Sequence, residues 1–291
     1  MLIDLCGQVN VLATITIYSE NAAYQSIETL KTNRNKRYRQ RSFYVEGVLG
    51  INAAERYGWS FKAFVYDGGK KLSGWARDMI NRNQSADLYV LKSALMNKLS
   101  SKNDASELIA IVGMRDDEAP TANTGGSKRQ DASPVYVLFD RPSGKGNLGT
   151  LLRSCDAFGV KALFITGHSV DIYDPEVIAS STGSFFAVPF AHIATSDETD
   201  KLIERLRQAH AGLSVIGTSA HAEIGVYDAN LKKPLLILVG NEKDGLSWRL
   251  KQISDMMVTI PMAEKSFATS LNVSCAATVI LNEAFRQRRQ I

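Results

Sequence analysis

At 291 residues the chain is longer than the commonest single-domain length, and two domains are expected. A hydrophobic fraction of 45% and a charged fraction of 22% exclude wholesale disorder, and no run comes near the roughly 18 apolar residues of a membrane helix, so no membrane partner is expected. The net charge of +4 permits a polyanionic partner. The three dispersed cysteines, Cys6, Cys155 and Cys275, form no CxxC pair and no zinc spacing, and so point to a reduced, cytoplasmic protein without a metal.

In chain order, residues 1–22 carry one apolar run, Val11 to Tyr18, that reads as a strand. The segment is otherwise unassigned, and its start lacks the positive charge of a signal peptide. Tyr24 to Arg41 reads as one helix that turns strongly basic: residues 31–41, KTNRNKRYRQR, hold six basic side chains and no acid. Strands are expected at Phe43 to Val45, Phe61 to Tyr66, Leu88 to Leu91 and Leu108 to Met114, and helices at Val48 to Tyr57, Leu72 to Asn83 and Lys92 to Leu99. Residues 23–115 thus form a modest α/β domain. Residues 116–134 follow, with two prolines, a Gly-Gly pair and almost nothing apolar, which is linker chemistry.

From residue 135 to 291 the pattern is regular. Val135 to Phe139 is a continuous apolar run, as in a strand buried on both faces, and Ala162 to Thr166, Ser214 to Thr218 and Leu235 to Val239 repeat the style, with helical patterns between them. The expected fold is α/β, a Rossmann-like and mostly parallel sheet with helices on both faces. After Phe139 the loop Arg141 to Gly146 leads to Asn147, which reads as a helix N-cap. Leu148, Leu151, Leu152 and Cys155 form a buried stripe, and at about 100° per residue Arg153 lies roughly 150° from its centre. Gly240 and Glu242 follow the last central strand, at the carboxyl end where open α/β sheets hold ligands. Ile260-Pro261 ends a short run, Met257 to Ile260. Ser270 then reads as the cap of a terminal helix burying Val273, Ala276, Ala277, Ile280 and Ala284.

Three of these segments resemble, in order and content, the motifs of the SpoU (TrmH) branch of the SPOUT RNA methyltransferases. They are Asn147-Leu148-Gly149-Thr150-Leu151-Leu152-Arg153, Gly240-Asn241-Glu242-Lys243-Asp244-Gly245-Leu246-Ser247, and Ile260-Pro261-Met262 leading to Ser270-Leu271-Asn272-Val273-Ser274. The loop Ala263 to Thr269 is two residues longer than the family's usual one. Basic residues before Phe43-Tyr44-Val45-Glu46-Gly47 look like the start of the L30e-like substrate-binding domain that many members carry.

The resemblance implies transfer of a methyl group from S-adenosylmethionine to a ribose 2′-hydroxyl of RNA, rRNA rather than tRNA by analogy. It also implies a deep trefoil knot in the catalytic sheet, a cofactor held near Gly240, Ile260, Met262 and Leu271, and a homodimer through the C-terminal domain. Arg153 would be the catalytic arginine, with Asn147, Glu242, Ser270 and Asn272 orienting substrate, loop or cofactor. The family assigns the arginine to activation of the hydroxyl. A guanidinium keeps its proton in proteins, which favours phosphate anchoring and stabilisation of a developing oxyanion. Beside such a domain, Arg34, Lys36, Arg37, Arg39 and Arg41 become candidate RNA phosphate contacts, and Tyr38 a candidate for stacking on a base.

Two readings compete. Gly144-x-Gly146-x-x-Gly149 alone matches a dinucleotide fingerprint, but Pro142, the extended loop and Arg153 in the family register argue against a nicotinamide dehydrogenase. A non-catalytic RNA-binding protein of the same fold is argued against by the intact polar set Asn147, Arg153, Glu242, Ser270 and Asn272.

Overall fold

The computed structural model describes residues 14–115 and 133–289, so most of the expected linker and Val11 to Ala13 of the first expected strand lie outside the described residues. The rest divides into two compact units, residues 14–115 with Tyr173–Ala179, and residues 133–172 with 180–289.

The first unit runs β1 (Thr14–Ile17), α1 (Ala22–Thr32), α2 (Arg34–Gln40), β2 (Ser42–Glu46), α3 (Val48–Arg56), β3 (Phe61–Asp67), α4 (Gly74–Arg82), β4 (Asp87–Leu91), α5 (Ser93–Leu99) and β5 (Leu108–Gly113). The strands form one mixed sheet of order β1-β4-β3-β5-β2. β1 therefore belongs to this sheet, pairing in parallel with β4 through Ile17 and Leu91. One face packs Ile17, Tyr44, Ala63, Val65, Ile109 and Ile111 against Ile27 and Leu30 of α1 and Leu95, Met96 and Leu99 of α5. The helix expected over Tyr24 to Arg41 breaks at Asn33. Its amide N–H closes α1 on the Thr29 carbonyl, while its side chain caps α2 by accepting from the Lys36 N–H. An asparagine satisfies the orphan groups of both helix ends at once, and this local bonding defeats a continuous helix.

After residue 133 the chain runs β6 (Val135–Phe139), α6 (Lys145–Ala157), β7 (Ala162–Thr166), α7 (Pro175–Ser181, whose residues up to Ala179 belong to the first unit), α8 (Ser184–Ala187), β8 (Phe190–Ile193), α9 (Ser196–Ala209), β9 (Ser214–Thr218), β10 (Ile224–Gly225), β11 (Leu235–Val239), α10 (Trp248–Ile253), β12 (Met256–Thr259) and α11 (Val273–Arg288). The sheet is parallel throughout, in the order β10-β12-β9-β11-β6-β7-β8. Tyr136, Leu138, Phe164, Val215, Leu236 and Leu238 bury one face under Leu202, Ile203 and Leu206 of α9 and Leu250 of α10. Both neighbours of β6 are parallel to it and reached by separate crossovers, so the carboxyl ends around β6 are the topological switch point.

The terminal helix differs from expectation in one respect. Asn272, not Ser270, is the N-cap of α11: its side chain accepts from the Ser274 and Cys275 N–H groups. The buried stripe moves with the helix start. Ser274, Ala277, Ile280, Leu281 and Ala284 are buried, while Val273 and Ala276 are only half-buried.

Candidate functional site

The site is built where β6 and β11 end. Asp140 follows β6 with its N–H on the Val239 carbonyl (2.8 Å). Arg141 then turns in the left-handed region, φ +49°, uncommon for a non-glycine residue. Two bonds hold it there: its N–H donates to Thr166 Oγ1 (3.0 Å), and its carbonyl accepts from Asn241 Nδ2 (2.6 Å). The chain beyond β11 folds back as the narrow loop 240–245, closed by two Asn241–Gly245 backbone bonds of 3.0 Å. A Cβ at Gly240 would stand 2.5 Å from the Gly245 carbon and the Leu246 nitrogen, so this loop admits only glycine there.

Glu242 rides on that loop and reaches the start of α6. Its carboxylate accepts from the Ser143 N–H (2.9 Å), the Ser143 hydroxyl (2.7 Å), the Gly144 N–H (2.9 Å) and Asn147 Nδ2 (3.0 Å). α6 begins after Gly144 with no side-chain cap of its own, and Glu242 supplies the anion from about 100 residues away. Gly144 leaves the room for it: a Cβ there would lie 2.9 Å from Asn147 Nδ2 and 3.1 Å from Glu242 Oε1. Burial pushes the Glu242 carboxyl up, but the bonds from Asn147 and Ser143 outweigh it and hold its pKa down to about 2. It is an ionised structural anion.

Asn147 is inside the first turn of α6, a correction to its reading as the cap. Its amide links two motifs instead, donating to Glu242 and accepting from Asn272 Nδ2 (3.0 Å). Its carbonyl accepts from the Ser274 hydroxyl (2.7 Å). A Ser154–Thr278 hydroxyl contact of 2.6 Å and a Phe158–Phe285 ring contact continue the α6–α11 seam. Asn147, Glu242 and Asn272 are thus one hydrogen-bonded unit, while Ser270 lies exposed before it. Arg153 is exposed, six residues or about 9 Å of helix rise beyond Asn147, on the side away from buried Leu148, Leu151, Leu152 and Cys155.

Of the four cofactor candidates, two follow strands and two lie on the loop before α11. Gly240 follows β11 and half-buried Ile260 follows β12, with β9 between the two strands. Met262 and Leu271 expose about two fifths of their surface, 39% and 40%, on the loop into α11. Exposed apolar side chains beside strand-end backbone groups fit a purine nucleoside better than a bare ion. Among the described residues no group of His, Cys, Asp or Glu side chains is placed to hold a metal.

In the basic segment, exposed Lys36, Arg39 and Arg41 and half-buried Arg34 differ from Arg37. Arg37 is 2% exposed, donates to the Leu30 (3.0 Å) and Lys31 (3.2 Å) carbonyls and pairs with Asp174 at 3.6 Å. Its charge serves the fold of its own unit, a correction to its candidacy as a phosphate contact. Ser143, Ser274 and Asp140 were not anticipated as parts of the site. Ser143 lies in the loop Arg141 to Gly146 and Ser274 in the third motif segment, and Asp140 is a lone acid directly after a buried strand, which was the available signal.

The SpoU rRNA Methylase family model matches residues 134–282, and the SpoU L30e-like domain model matches residues 21–110. A 23S rRNA (uridine(2479)-2′-O)-methyltransferase of Streptomyces viridochromogenes is 39% identical over 273 residues, 94% of this chain and 92% of that protein. The crystal structure of the SpoU methyltransferase AviRb from the same organism, in complex with AdoMet, aligns with a TM-score of 0.83 at 39% identity, covering 92% of this chain and 98% of that one. An AdoMet-bound rRNA methyltransferase from Sinorhizobium meliloti shares the fold at 24% identity and a TM-score of 0.79, covering 95% and 99% of the two chains.

Proposed function

The chain belongs to the SpoU rRNA methylase family and is an S-adenosylmethionine-dependent RNA 2′-O-ribose methyltransferase, and we propose that it acts on 23S rRNA with Arg153 as its catalytic arginine. The observation that carries this reading is the single hydrogen-bonded unit formed by Asn147, Glu242 and Asn272, one residue from each of the three motif segments. It ties α6, the loop 240–245 and the start of α11 into one frame. Bound near Gly240, Ile260, Met262 and Leu271, the cofactor supplies a methyl group on a sulfonium whose leaving group departs neutral.

The remaining difficulty is the ribose hydroxyl, a weak acid. Negative charge grows on its oxygen as the proton passes to solvent water, and the O–CH3 bond forms there. The exposed Arg153 guanidinium supplies fixed positive charge and planar donors for that oxygen or the adjoining phosphate. Glu242 and Asn272 do not touch RNA in this account; they hold Asn147 and the α6 start at which the substrate and cofactor halves of the site meet. The knot belongs to the same proposal, the loop 260–272 being the segment that returns Asn272 to Asn147. So do residues 23–115 as the RNA-gripping domain, residues 116–134 as linker and residues 135–291 as the catalytic domain. Arg153 stands apart from the Asn147 unit, which supports a homodimer in which one protomer's arginine completes its partner's site.

Arg153→Ala is expected to lower kcat about 100-fold or more. Cofactor affinity by calorimetry should stay within a few-fold. Near-normal turnover would sink the assignment.

A further inference from the structure

A cavity of about 280 Å³ opens outside the carboxyl ends of β6, β7 and β8, lined among others by Arg141, Thr166, Ala194, Ser196, Ser247 and Arg249. None of the cofactor candidates lines it, and Gly240 and Ile260 follow β11 and β12 on the other side of β6. It sits at the switch point where open α/β sheets accept ligands, and its size suits one nucleotide, being just below the roughly 300–1,000 Å³ of small-molecule clefts.

The lining chemistry narrows the ligand. Arg141 is paired with Asp140 at 3.1 Å, and Arg249 is paired with Asp200. The α9 start caps itself, Thr195 accepting from the Glu198 N–H (3.2 Å) and Glu198 from the Ala194 N–H (2.9 Å). With its charges matched and its helix start satisfied, the cavity is not built for a free anion. Fixed guanidinium planes and hydroxyl groups suit the face and edge of a nucleobase.

Trp248 supplies the second observation. It stands between the lining residues Ser247 and Arg249 and is 76% exposed, whereas Trp59 is buried and Trp75 half-buried. Its backbone is anchored: the preceding Ser247 N–H donates to buried Asp140 (2.8 Å), the carboxylate that also holds Arg141 and Thr166. Exposed Lys243 and Lys251 flank it, and Glu242 lies six residues upstream. An exposed indole on an anchored backbone, one residue from the paired Arg249, is a stacking platform for an unpaired base at the rim of the cavity.

We propose that Trp248 and this cavity form a subsite for an unpaired nucleotide of the substrate RNA, close to the one that is methylated. The inference rests on the reading of the chain as an RNA methyltransferase. The test uses the full chain and transcribed 23S rRNA, comparing wild type with Trp248→Ala, Trp248→Phe and Ala194→Trp, the last filling the cavity mouth. Trp248→Ala and Ala194→Trp should raise KM for the RNA about 10-fold. They should leave kcat and S-adenosylmethionine affinity within twofold, and Trp248→Phe should restore most of the loss. Independently of turnover, RNA should quench wild-type tryptophan fluorescence more than that of Trp248→Phe. A methylating wild type whose Trp248→Ala and Ala194→Trp variants keep normal KM, with no differential quenching, overturns the subsite. So does a changed mass in light scattering at unchanged KM, which would make Trp248 a protein contact. Differential quenching by a wild type that transfers no methyl group to RNA would uphold the subsite and sink the methyltransferase reading instead.

Discussion

Glu242 is legible in the sequence as a site residue, and the structure gives it a physical partner. Its place after a buried strand marks it as a site residue, but in the structure it is a remote cap for α6, accepting four hydrogen bonds. Its folded pKa of about 2 lies below the 4.5 of an unperturbed carboxyl, so the folded state binds fewer protons than the unfolded one. The stabilisation is therefore full above about pH 4.5 and is lost as pH falls through about 2. Glu242→Gln is expected to cost about 2 kcal/mol at neutral pH. In urea titrations the gap from wild type should hold constant down to about pH 5 and close below 4.5. A gap undiminished at pH 3 would contradict the ionised cap. Ser270 and Asn272 make the complementary point. Both are good capping types, and local sequence favoured the first. The bond from Asn272 to Asn147 spans 125 residues and starts the helix at Val273.

Among elements, long apolar runs were the most legible. β6, β7, β9 and β11 lie where the expected strands do, because short, largely apolar runs without charge suit strands buried on both faces. β8 and β10 were missed: they are four and two residues long, and His192 interrupts the apolar pattern of the first. The basic segment was legible as charge but not as shape. Arg37 points into its own unit because the break at Asn33 turns α2 back on α1, whose last carbonyls it binds. Replacing Arg34, Lys36, Arg39 and Arg41 with Gln should weaken RNA binding and reduce its log–log salt slope by up to about 3. Arg37→Gln should leave that slope unchanged and lower stability by about 1.5–3 kcal/mol. An unchanged slope in the fourfold variant would place the RNA contact elsewhere.

For the whole molecule, the order of the motifs along the chain indicated the family, and the polar frame gives that order a physical meaning: each motif supplies one member of a bonded unit. Among the described residues no helix is long and apolar enough to cross a membrane. The dimer proposal rests on the part of α11 that its own protomer does not bury. Ala277 and Ala284 are buried within the protomer, leaving half-buried Val273, Ala276 and Val279 and exposed Cys275 on α11 for a partner. Light scattering of the full chain should return twice the 31.9 kDa chain mass, and a monomer that methylates normally would contradict the shared site.

The central claim is tested most directly by the chemical identity of the product. The protein is incubated with methyl-labelled S-adenosylmethionine and unmodified 23S rRNA or tRNA, and the RNA is digested to nucleosides. The account predicts label in one 2′-O-methylated nucleoside from 23S rRNA. Label on a base, label in tRNA instead, or no transfer to either RNA would contradict it.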